Sequence, residues 1–153
     1  FETAFPFLVR ECEWDVRNAE AAELLDVAAA QAEVAFQESG TDPMVRDREG
    51  FLARVLRRIE QNRVFVVYQD GKLVFKADIV AQTGEVSYLE GVWVAPEFRG
   101  KGVGSSCLAR LNMMLLPETP NVCLLSNINE TSAHGSFQRA GFRHTDQCTT
   151  IFV

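Results

Sequence analysis

The chain has 153 residues, 47% of them hydrophobic and 24% charged, and its formal net charge is −6. This composition favours one globular domain over residues 1–153 rather than a disordered or low-complexity chain, and no apolar run approaches the ~20 residues that span a bilayer. Because nucleic acid is bound through Lys and Arg side chains that neutralise phosphates, the acidic balance also argues against a nucleic-acid partner.

The first half of the chain predicts one strand and two helices. Residues 8–12 form a mixed run typical of a strand, and Asn18 is the predicted N-cap of a helix that ends at the Ser39–Pro43 turn signals. Asp47 caps a second helix that ends near Asn62. The predicted buried positions have helical spacing: Leu25, Ala28, Ala29, Ala32 and Phe36 in the first helix, and Leu52, Val55, Leu56 and Ile59 in the second. Glu23, Asp26, Gln31 and Glu33 are expected to point outward.

Three antiparallel strands are predicted next, at 64–69, 72–82 and 85–94. Asp70-Gly71 between the first two is a strong two-residue hairpin signal. In the second strand, Lys72, Lys76 and Asp78 alternate with apolar residues, which predicts one wetter face.

A helix at 102–116, a buried strand at 122–125, a helix at 131–140 ended by Gly141, and closing strands at 142–153 complete the chain. The predicted buried positions of the 102–116 helix are Val103, Cys107, Leu108, Leu111 and Leu115. The order β-α-α-β-β-β-α-β-α-β predicts an α+β fold, with a mostly antiparallel central sheet and about four flanking helices.

Charge and cysteine placement add two expectations. Residues 1–50 hold 12 acidic and 4 basic side chains, a net of −8, whereas the rest hold 9 and 11, a net of +2. The acidic segment is either a solvated helix face or a surface that attracts a cationic acceptor such as an amine. Since Cys12, Cys107, Cys123 and Cys148 form no CxxC pair, we expect buried thiols in a reducing cytoplasm and no metal site.

The segment from Val92 to Gly104 joins a strand, a glycine-rich turn and a helix. Its G-x-G-x-G spacing lacks the third glycine of the dinucleotide fingerprint, and Gly102 stands where a Walker loop needs Ser or Thr. Glycines let the backbone approach a ligand closely, and the N–H groups at the start of a helix bind anions. The turn is therefore predicted to bind a phosphate or diphosphate.

This segment resembles motif A of the GNAT acyl-CoA N-acyltransferase superfamily, in which Arg or Gln is followed after two residues by Gly, one residue, and Gly or Ala. Arg99, Gly102 and Gly104 fill these places, and the preceding V-x-V-x-P run also matches. The order of elements and the later positions Ala133, Phe137 and Gly141-Phe142 look like the same family, so the similarity extends over the whole chain.

The resemblance implies an acetyl-CoA site. In the family, the diphosphate lies on the loop that corresponds to residues 99–104, and pantetheine pairs like an additional strand with the one that corresponds to 92–94. The implied cofactor-binding residues are Val92, Trp93, Val94, Arg99, Gly100, Lys101, Gly102, Val103, Gly104, Ser105, Asn127, Glu130 and Phe137.

The implied activity is direct transfer of acetyl from acetyl-CoA to a primary amine of a small molecule or protein. A backbone N–H near Val92 or Val94 would stabilise the negative charge that develops on the thioester oxygen. Glu90 is the candidate base, because a regular strand places it on the same side as Val92 and Val94, and Tyr88 is a candidate for contact with the acceptor. The alternative for Glu90 is a carboxylate on the strand surface.

One departure supports an alternative function. The family commonly places Asn, Ala and a Tyr proton donor where this chain has Glu130, Ala133 and Phe137. The missing hydroxyl would slow transfer by at most the ~10²–10⁴ that such acids contribute. His134 and Ser136 are nearby candidates to replace it, and the alternative for His134 is a surface residue of the helix. The alternative is a catalytically silent acyl-CoA-binding regulatory domain.

Two expectations concern partners. The strand Val74-Phe75-Lys76-Ala77 resembles bacterial members in which the acetyltransferase domain follows a further N-terminal domain, which implies such a domain here. An exposed closing strand would also allow a homodimer.

Overall fold

The computed structural model describes residues 1–4, 13–149 and 151, so the strand predicted at 8–12 lies outside the described residues. The strands are β1 (Glu2–Thr3), β2 (Arg17–Asn18), β3 (Val64–Gln69), β4 (Lys72–Gln82), β5 (Val86–Val94) and β6 (Asn121–Leu124). The helices are α1 (Leu24–Ser39), α2 (Pro43–Arg46), α3 (Arg48–Glu60), α4 (Val103–Leu115) and α5 (Thr131–Arg139).

The described strands form one sheet in the order β1-β6-β5-β4-β3-β2. Its pairs are antiparallel except for β5 and β6, which run parallel because α4 connects them across one face of the sheet. The prediction of an α+β fold around a mostly antiparallel sheet is confirmed.

The hairpin between β3 and β4 forms where Asp70-Gly71 predicts it. Both residues have positive φ, 51° and 75°, as a type I′ turn requires. Strands β3 and β4 each begin and end at the predicted residues.

The first helical segment begins differently from the prediction. Asn18 lies in β2 and its side chain donates to the carbonyl of Asn62. The cap is instead Glu20, which forms a capping box with Glu23 at the start of a 3₁₀ turn that leads into α1. Gly40, at φ 72°, ends α1 at the predicted break.

The buried face of α1 also differs from the prediction. Leu25, Ala29 and Phe36 are exposed, and the buried residues are Val27, Ala28, Ala30 and Ala32. Small residues let the helix pack closely on the sheet and on α3. Because alanine occurs on several faces of α1, helical spacing alone does not identify the buried one.

The next two helices agree better with the sequence. Asp47 caps α3 by accepting a hydrogen bond from the Gly50 amide, as predicted. The buried residues of α3 are Phe51, Val55 and Ile59, while Leu52 and Leu56 are half-buried. The short helix α2 is capped by Asp42 and was not predicted.

Two apolar clusters lie on opposite faces of the sheet. The α1 cluster contains residues of α1 and α3 with strand residues such as Val64 and Val66, and the α4 cluster contains residues of α4 and α5 with Phe75, Ala77 and Leu89. The prediction for the buried face of α4 is confirmed, since Val103, Cys107, Leu108, Leu111 and Leu115 are all buried.

The prediction of a wet face on β4 is wrong. Lys76 and Asp78 are 0% and 2% exposed, because α1 and α3 cover this face of the sheet. They form an ion pair with 2.9 Å between Nζ and Oδ1, and Arg58 of α3 donates to the other Asp78 oxygen at 3.2 Å. Burial lowers the pKa of Lys76, and the charge of Asp78 opposes that shift.

The closing strands predicted at 142–153 are absent from the described residues of that range. The one β-bridge there pairs Arg143 with Glu2, through backbone hydrogen bonds of 2.9 and 2.8 Å. Residues 144–149 and 151 follow without regular structure. The closing strand on which a homodimer was expected is therefore not described.

The cysteine prediction is corrected in part. Cys107 is buried, Cys123 is half-buried and Cys148 is exposed, while Cys12 lies outside the described residues.

Among the helices that the structure describes, none combines the length and apolar character needed to cross a membrane.

Candidate active site

The glycine-rich turn connects the end of β5 to the start of α4. Pro96 begins a 3₁₀ turn that ends at Phe98, and the chain enters α4 at Val103. Gly100 and Gly102 adopt positive φ values of 74° and 78°, a conformation that other residues adopt only with strain. A Cβ atom at either position would meet no heavy atom within 4 Å apart from adjacent parts of the chain, so open space lies beside the turn. The backbone N–H groups of a helix start therefore adjoin an open cradle, which fits a diphosphate.

The other residues predicted in this turn divide into exposed and buried ones. Lys101 is exposed, whereas Val103, the first residue of α4, is buried in the core between α4 and the sheet. A Cβ at Gly104 would lie 3.1 Å from Cγ2 of Val94, so this glycine allows the helix to approach β5. The Ser105 hydroxyl is buried without a hydrogen-bond partner among the described residues.

A gap opens between β5 and β6. Their parallel pairing runs from Val86 with Asn121 to Leu89 with Leu124 and ends there. Beyond Leu89, β5 continues for five residues that have no strand beside them on this edge within the described chain. An extended molecule such as pantetheine would fit along such an edge, because the backbone of β5 can form hydrogen bonds with it.

A β-bulge interrupts β5 at the beginning of this gap. Asp78 pairs with Glu90, and Lys76 pairs with Trp93. The two pairs are two residues apart on β4 but three residues apart on β5, so β5 contains one additional residue. Gly91 has φ 62°, which is typical of a glycine in a bulge. The Gly91 carbonyl oxygen accepts a hydrogen bond of 3.1 Å from Nζ of Lys76.

The bulge corrects the predicted orientation of Glu90. In a regular strand Glu90, Val92 and Val94 would share a face, but the additional residue reverses the alternation. Val92 and Val94 pack against the α4 cluster, whereas Trp93 packs against the α1 cluster. Glu90 pairs with Asp78 and lies on the α1 side.

Arg99 and Trp93 are joined to α1 through Glu33, a contact that the sequence did not reveal. One Glu33 oxygen accepts a hydrogen bond from the Arg99 guanidinium at 2.8 Å, and the other accepts from Trp93 Nε1 at 3.0 Å. Arg99 Nε also donates to the Val94 carbonyl at 2.8 Å. The bonds from Arg99 and then from Trp93 hold the pKa of Glu33 below its ordinary value. These bonds connect the turn, the end of β5 and α1.

The carboxylates of Glu38 on α1 and Glu90 on β5 lie near Tyr88, on the α1 side of the gap. Burial raises the pKa of Glu38, and the charges of Glu90 and Glu130 raise it further. Burial and the Glu90 charge raise the pKa of Tyr88 to about 12. A phenol with this pKa stays protonated near neutrality and is a weaker acid than a thiol of pKa ~8.5, so Tyr88 suits contact with an acceptor better than proton transfer.

The residues predicted around α5 lie at its start and in the core. The Asn127 side chain accepts from the Asn129 amide at 3.0 Å in a local turn, and Glu130 is exposed at the N-cap of α5. His134 is half-buried, with Nε2 at 2.9 Å from the Asn127 carbonyl oxygen. Phe137 is buried in an edge-on contact with Phe142 at 6.4 Å.

Sequence reasoning missed four residues of this region: Gln31, Glu33, Glu38 and Lys76. Three belong to α1, which sequence patterns alone could orient only approximately. For Glu33 and Glu38, the signal was the acidic character of the first 50 residues, which suggested a cationic acceptor without identifying a side chain.

The family follows from a match to residues 60–144, more than half of the chain, by the family model described as an acetyltransferase (GNAT) domain. The chain belongs to the GNAT acetyltransferase family. The resemblance stated from motif A is thereby confirmed. No curated protein matches this GNAT chain.

Solved structures share the GNAT fold at low sequence identity. A predicted acetyltransferase from Clostridium acetobutylicum, solved with acetyl-CoA, is 13% identical, has a TM-score of 0.68, and matches over 91% of this chain and 96% of its own. A GCN5-related N-acetyltransferase from Ralstonia eutropha is 17% identical, with a TM-score of 0.66 and coverage of 91% and 98%. AAC(6′)-Iy in complex with the bisubstrate analog CoA-S-monomethyl-acetylneamine is 18% identical, with a TM-score of 0.67 and coverage of 92% and 98%.

In the GNAT chain, the helix-start amides of the cradle at Gly100 and Gly102 suit an anionic diphosphate, and the unpaired edge of β5 suits an extended molecule. Among the residues that the structure describes, no group of three or more His, Cys, Asp or Glu side chains is arranged to hold a metal ion. The metal-free site expected from the sequence stays a prediction, as do the individual roles of the site residues.

Proposed function

We propose that this chain is an acetyl-CoA-dependent N-acetyltransferase that moves an acetyl group directly to a primary amine of a small molecule or protein. One observation carries the proposal: a bulged strand with an unpaired edge leads into a glycine cradle at a helix start. The cradle suits the diphosphate and the edge suits pantetheine. Bound acetyl-CoA supplies an acetyl group activated as a thioester.

The chain's own residues then have distinct tasks. The amides from Gly100 to Gly104 bind the diphosphate, and Lys101 adds a positive charge beside it. The Arg99 contact with Glu33 keeps the turn attached to α1. A backbone N–H after the bulge, at Val92 or Val94, stabilises negative charge on the thioester oxygen, a contribution worth about 10²–10³ in rate for one such donor.

The amine must lose a proton to react, and Glu90 is our candidate base. It is exposed and pairs with Asp78 on the α1 side of the sheet. The half-buried Tyr88 shares that side, because Leu89 between them packs in the cluster on the opposite face. Because Glu90 faces away from Val92, we propose that water carries the proton from the acceptor amine to Glu90. Tyr88 would contact the acceptor as a neutral phenol.

The acceptor is proposed to be cationic. Glu90 and Glu130 each lie near enough to Glu38 that their charges, after burial, raise its pKa. Such a concentration of negative charge favours an amine that carries additional positive charge. This part of the proposal deepens the expectation drawn from the acidic first 50 residues.

A catalytically silent acyl-CoA-binding regulatory domain is the second candidate. The observation that favours it is Phe137, which stands where the family commonly has a Tyr hydroxyl and is buried among aromatic rings. The proton donor of the family is therefore absent at that position.

Two measurements on the same protein separate these functions. Calorimetry with CoA tests the cradle, and thiol release from acetyl-CoA with polyamines, amino acids and Lys-containing peptides tests transfer. We expect CoA binding together with thiol release for at least one amine. Binding without release on any acceptor would favour the silent domain, and the absence of binding would overturn both candidates.

A further inference from the structure

The buried ammonium group of Lys76 lies directly beneath the bulge of β5. Lys76 is 0% exposed, and its Nζ donates to the Gly91 carbonyl and to Oε1 of Gln31 on α1. Asp78 pairs with the same ammonium group at 2.9 Å. Burying this ammonium group costs solvation free energy, which the contacts with these three neighbours offset.

The Gly91 carbonyl belongs to the same peptide unit as the amide of Val92. No cis peptide bond occurs in the described residues, so this unit is trans and planar, and its C=O and N–H point in opposite directions. A group that fixes the Gly91 oxygen therefore also fixes the direction of the Val92 N–H. That N–H faces away from Lys76 and from the α1 side of the sheet.

The space around Gly91 leaves little freedom for this peptide. A Cβ at Gly91 would lie 2.6 Å from Oε1 of Gln31 and 2.8 Å from Nζ of Lys76. A positive charge at the oxygen also polarises the peptide, which strengthens its N–H as a donor in a medium of low dielectric constant. Position and polarity of the Val92 amide thus both depend on the lysine.

We propose that Lys76 is a positioning residue for acetyl transfer: it orients and polarises the Gly91–Val92 peptide so that the Val92 amide can donate to the thioester oxygen of acetyl-CoA. This inference rests on the proposed function, because it assigns the supporting contact for the backbone donor of that reaction. Lys76 itself does not contact the substrate.

The test compares Lys76→Met with Arg58→Gln. Both variants disturb the ionic contacts of Asp78, but only the first removes the donor to Gly91. We expect Lys76→Met to lower kcat by about 10-fold to 10²-fold, a part of what the loss of one oxyanion donor costs. The KM for acetyl-CoA and the calorimetric affinity for CoA should stay within about threefold, a change of less than ~1 kcal/mol. Arg58→Gln should retain the wild-type kcat.

A spectroscopic readout separates positioning from a structural role. Infrared spectra of bound acetyl-CoA labelled with ¹³C at the thioester carbonyl report the hydrogen bond to that oxygen directly. We expect a shift to lower frequency in the wild type and in Arg58→Gln, and the loss of most of that shift in Lys76→Met. Lys76→Met leaves Asp78 with one fewer partner. The double variant Lys76→Met/Asp78→Asn returns the summed charge of residues 58, 76 and 78 to its wild-type value, and it should show the same kcat and frequency changes as Lys76→Met.

The outcomes are distinct. If wild-type protein neither binds acetyl-CoA nor shifts the carbonyl band, the proposed function fails and this inference fails with it. If the wild type binds and shifts the band but both Lys76 variants behave like it, the inference alone is overturned. A loss of CoA affinity as large as the loss of kcat would assign Lys76 a structural role and would also overturn the inference.

Discussion

At the scale of single residues, two glycines determine whether the turn after β5 can bind an anion. Gly100 and Gly102 have left-handed conformations next to open space, so their role is conformational rather than a matter of packing. Glycine at such positions avoids the ~1–2 kcal/mol that a side chain costs in this region.

We expect Gly102→Val to lower the affinity for CoA by about tenfold or more, equivalent to ~1.4 kcal/mol. A β-branched residue at φ 78° moves the backbone away from the conformation that directs its N–H groups toward the cradle. The measurement is calorimetry with CoA. The matched control is Gly71→Val, which has φ 75° and equally open space but lies in the β3–β4 hairpin. An equal loss of affinity in both variants would contradict the prediction.

Glu33 makes a second prediction at this scale, in the pH dependence of stability. Its pKa is depressed by Arg99 and Trp93, so its contribution to the free energy of unfolding is present at neutral pH and is lost as the pH falls through the depressed pKa. The stability gap, meaning the wild-type free energy of unfolding minus that of Glu33→Gln, should narrow as the pH falls from about 6 to about 3. Because the Arg99 and Glu33 side chains are 44% and 37% exposed, the gap should not exceed about 1 kcal/mol.

Urea unfolding at several pH values measures this gap. Glu60→Gln, which removes an exposed carboxylate at the end of α3, is the control. A gap that widens toward low pH would contradict the assigned sign.

At the scale of secondary-structure elements, the bulge in β5 decides which side chains face each helix layer. It places Val92 and Val94 against the α4 cluster and Trp93 against the α1 cluster. It also brings the Gly91 carbonyl to the buried Lys76. The strand is therefore shaped by contacts from β4 and α1 rather than by its own alternation.

We expect Gly91→Ala to destabilise the protein by about 1–3 kcal/mol, the cost of a strained conformation outside glycine. The alanine would have to adopt φ 62°, and its Cβ would displace the ends of the Gln31 and Lys76 side chains. Urea unfolding is the measurement. Gly84→Ala, which has open space and no positive φ, should change stability by less than about 1 kcal/mol. Equal stability of the two variants would refute the prediction.

The success of the sequence-based predictions depended on whether the signal was local. Asp70-Gly71 and the glycines after Pro96 specify backbone conformations by themselves, so the hairpin and the turn were located correctly. Lys76 looked like a solvent-facing residue because a strand pattern cannot show that α1 and α3 cover that face. The contact between Glu33 and Arg99 joins residues 66 positions apart, which periodicity in either segment cannot predict.

At the scale of the whole molecule, charge is distributed along the chain in a way that bears on the acceptor. The first 50 residues carry a net charge of −8, and α1 brings Glu38 near Glu90 and Glu130. A long-range field of this sign attracts cations and is screened by salt.

We expect spermidine to be acetylated with a lower KM than alanine, whose net charge is zero, and its KM to rise as NaCl increases from about 0.05 to 0.5 M. The reason is the weaker attraction of a cationic acceptor at high ionic strength. Steady-state thiol release measures both amines, and the KM for alanine provides the control. Equal salt dependence for the two amines would argue against a charge-selected acceptor.

The early end of the β5–β6 pairing also has a consequence for handling the protein. A strand edge without a partner is where another polypeptide can add, and such edges promote aggregation. Here the edge lies in the interior of the sheet, beside the cradle, so a small molecule that occupies it would compete with strand addition. Preparations stored with saturating CoA should consequently stay dispersed on warming for longer than preparations without it.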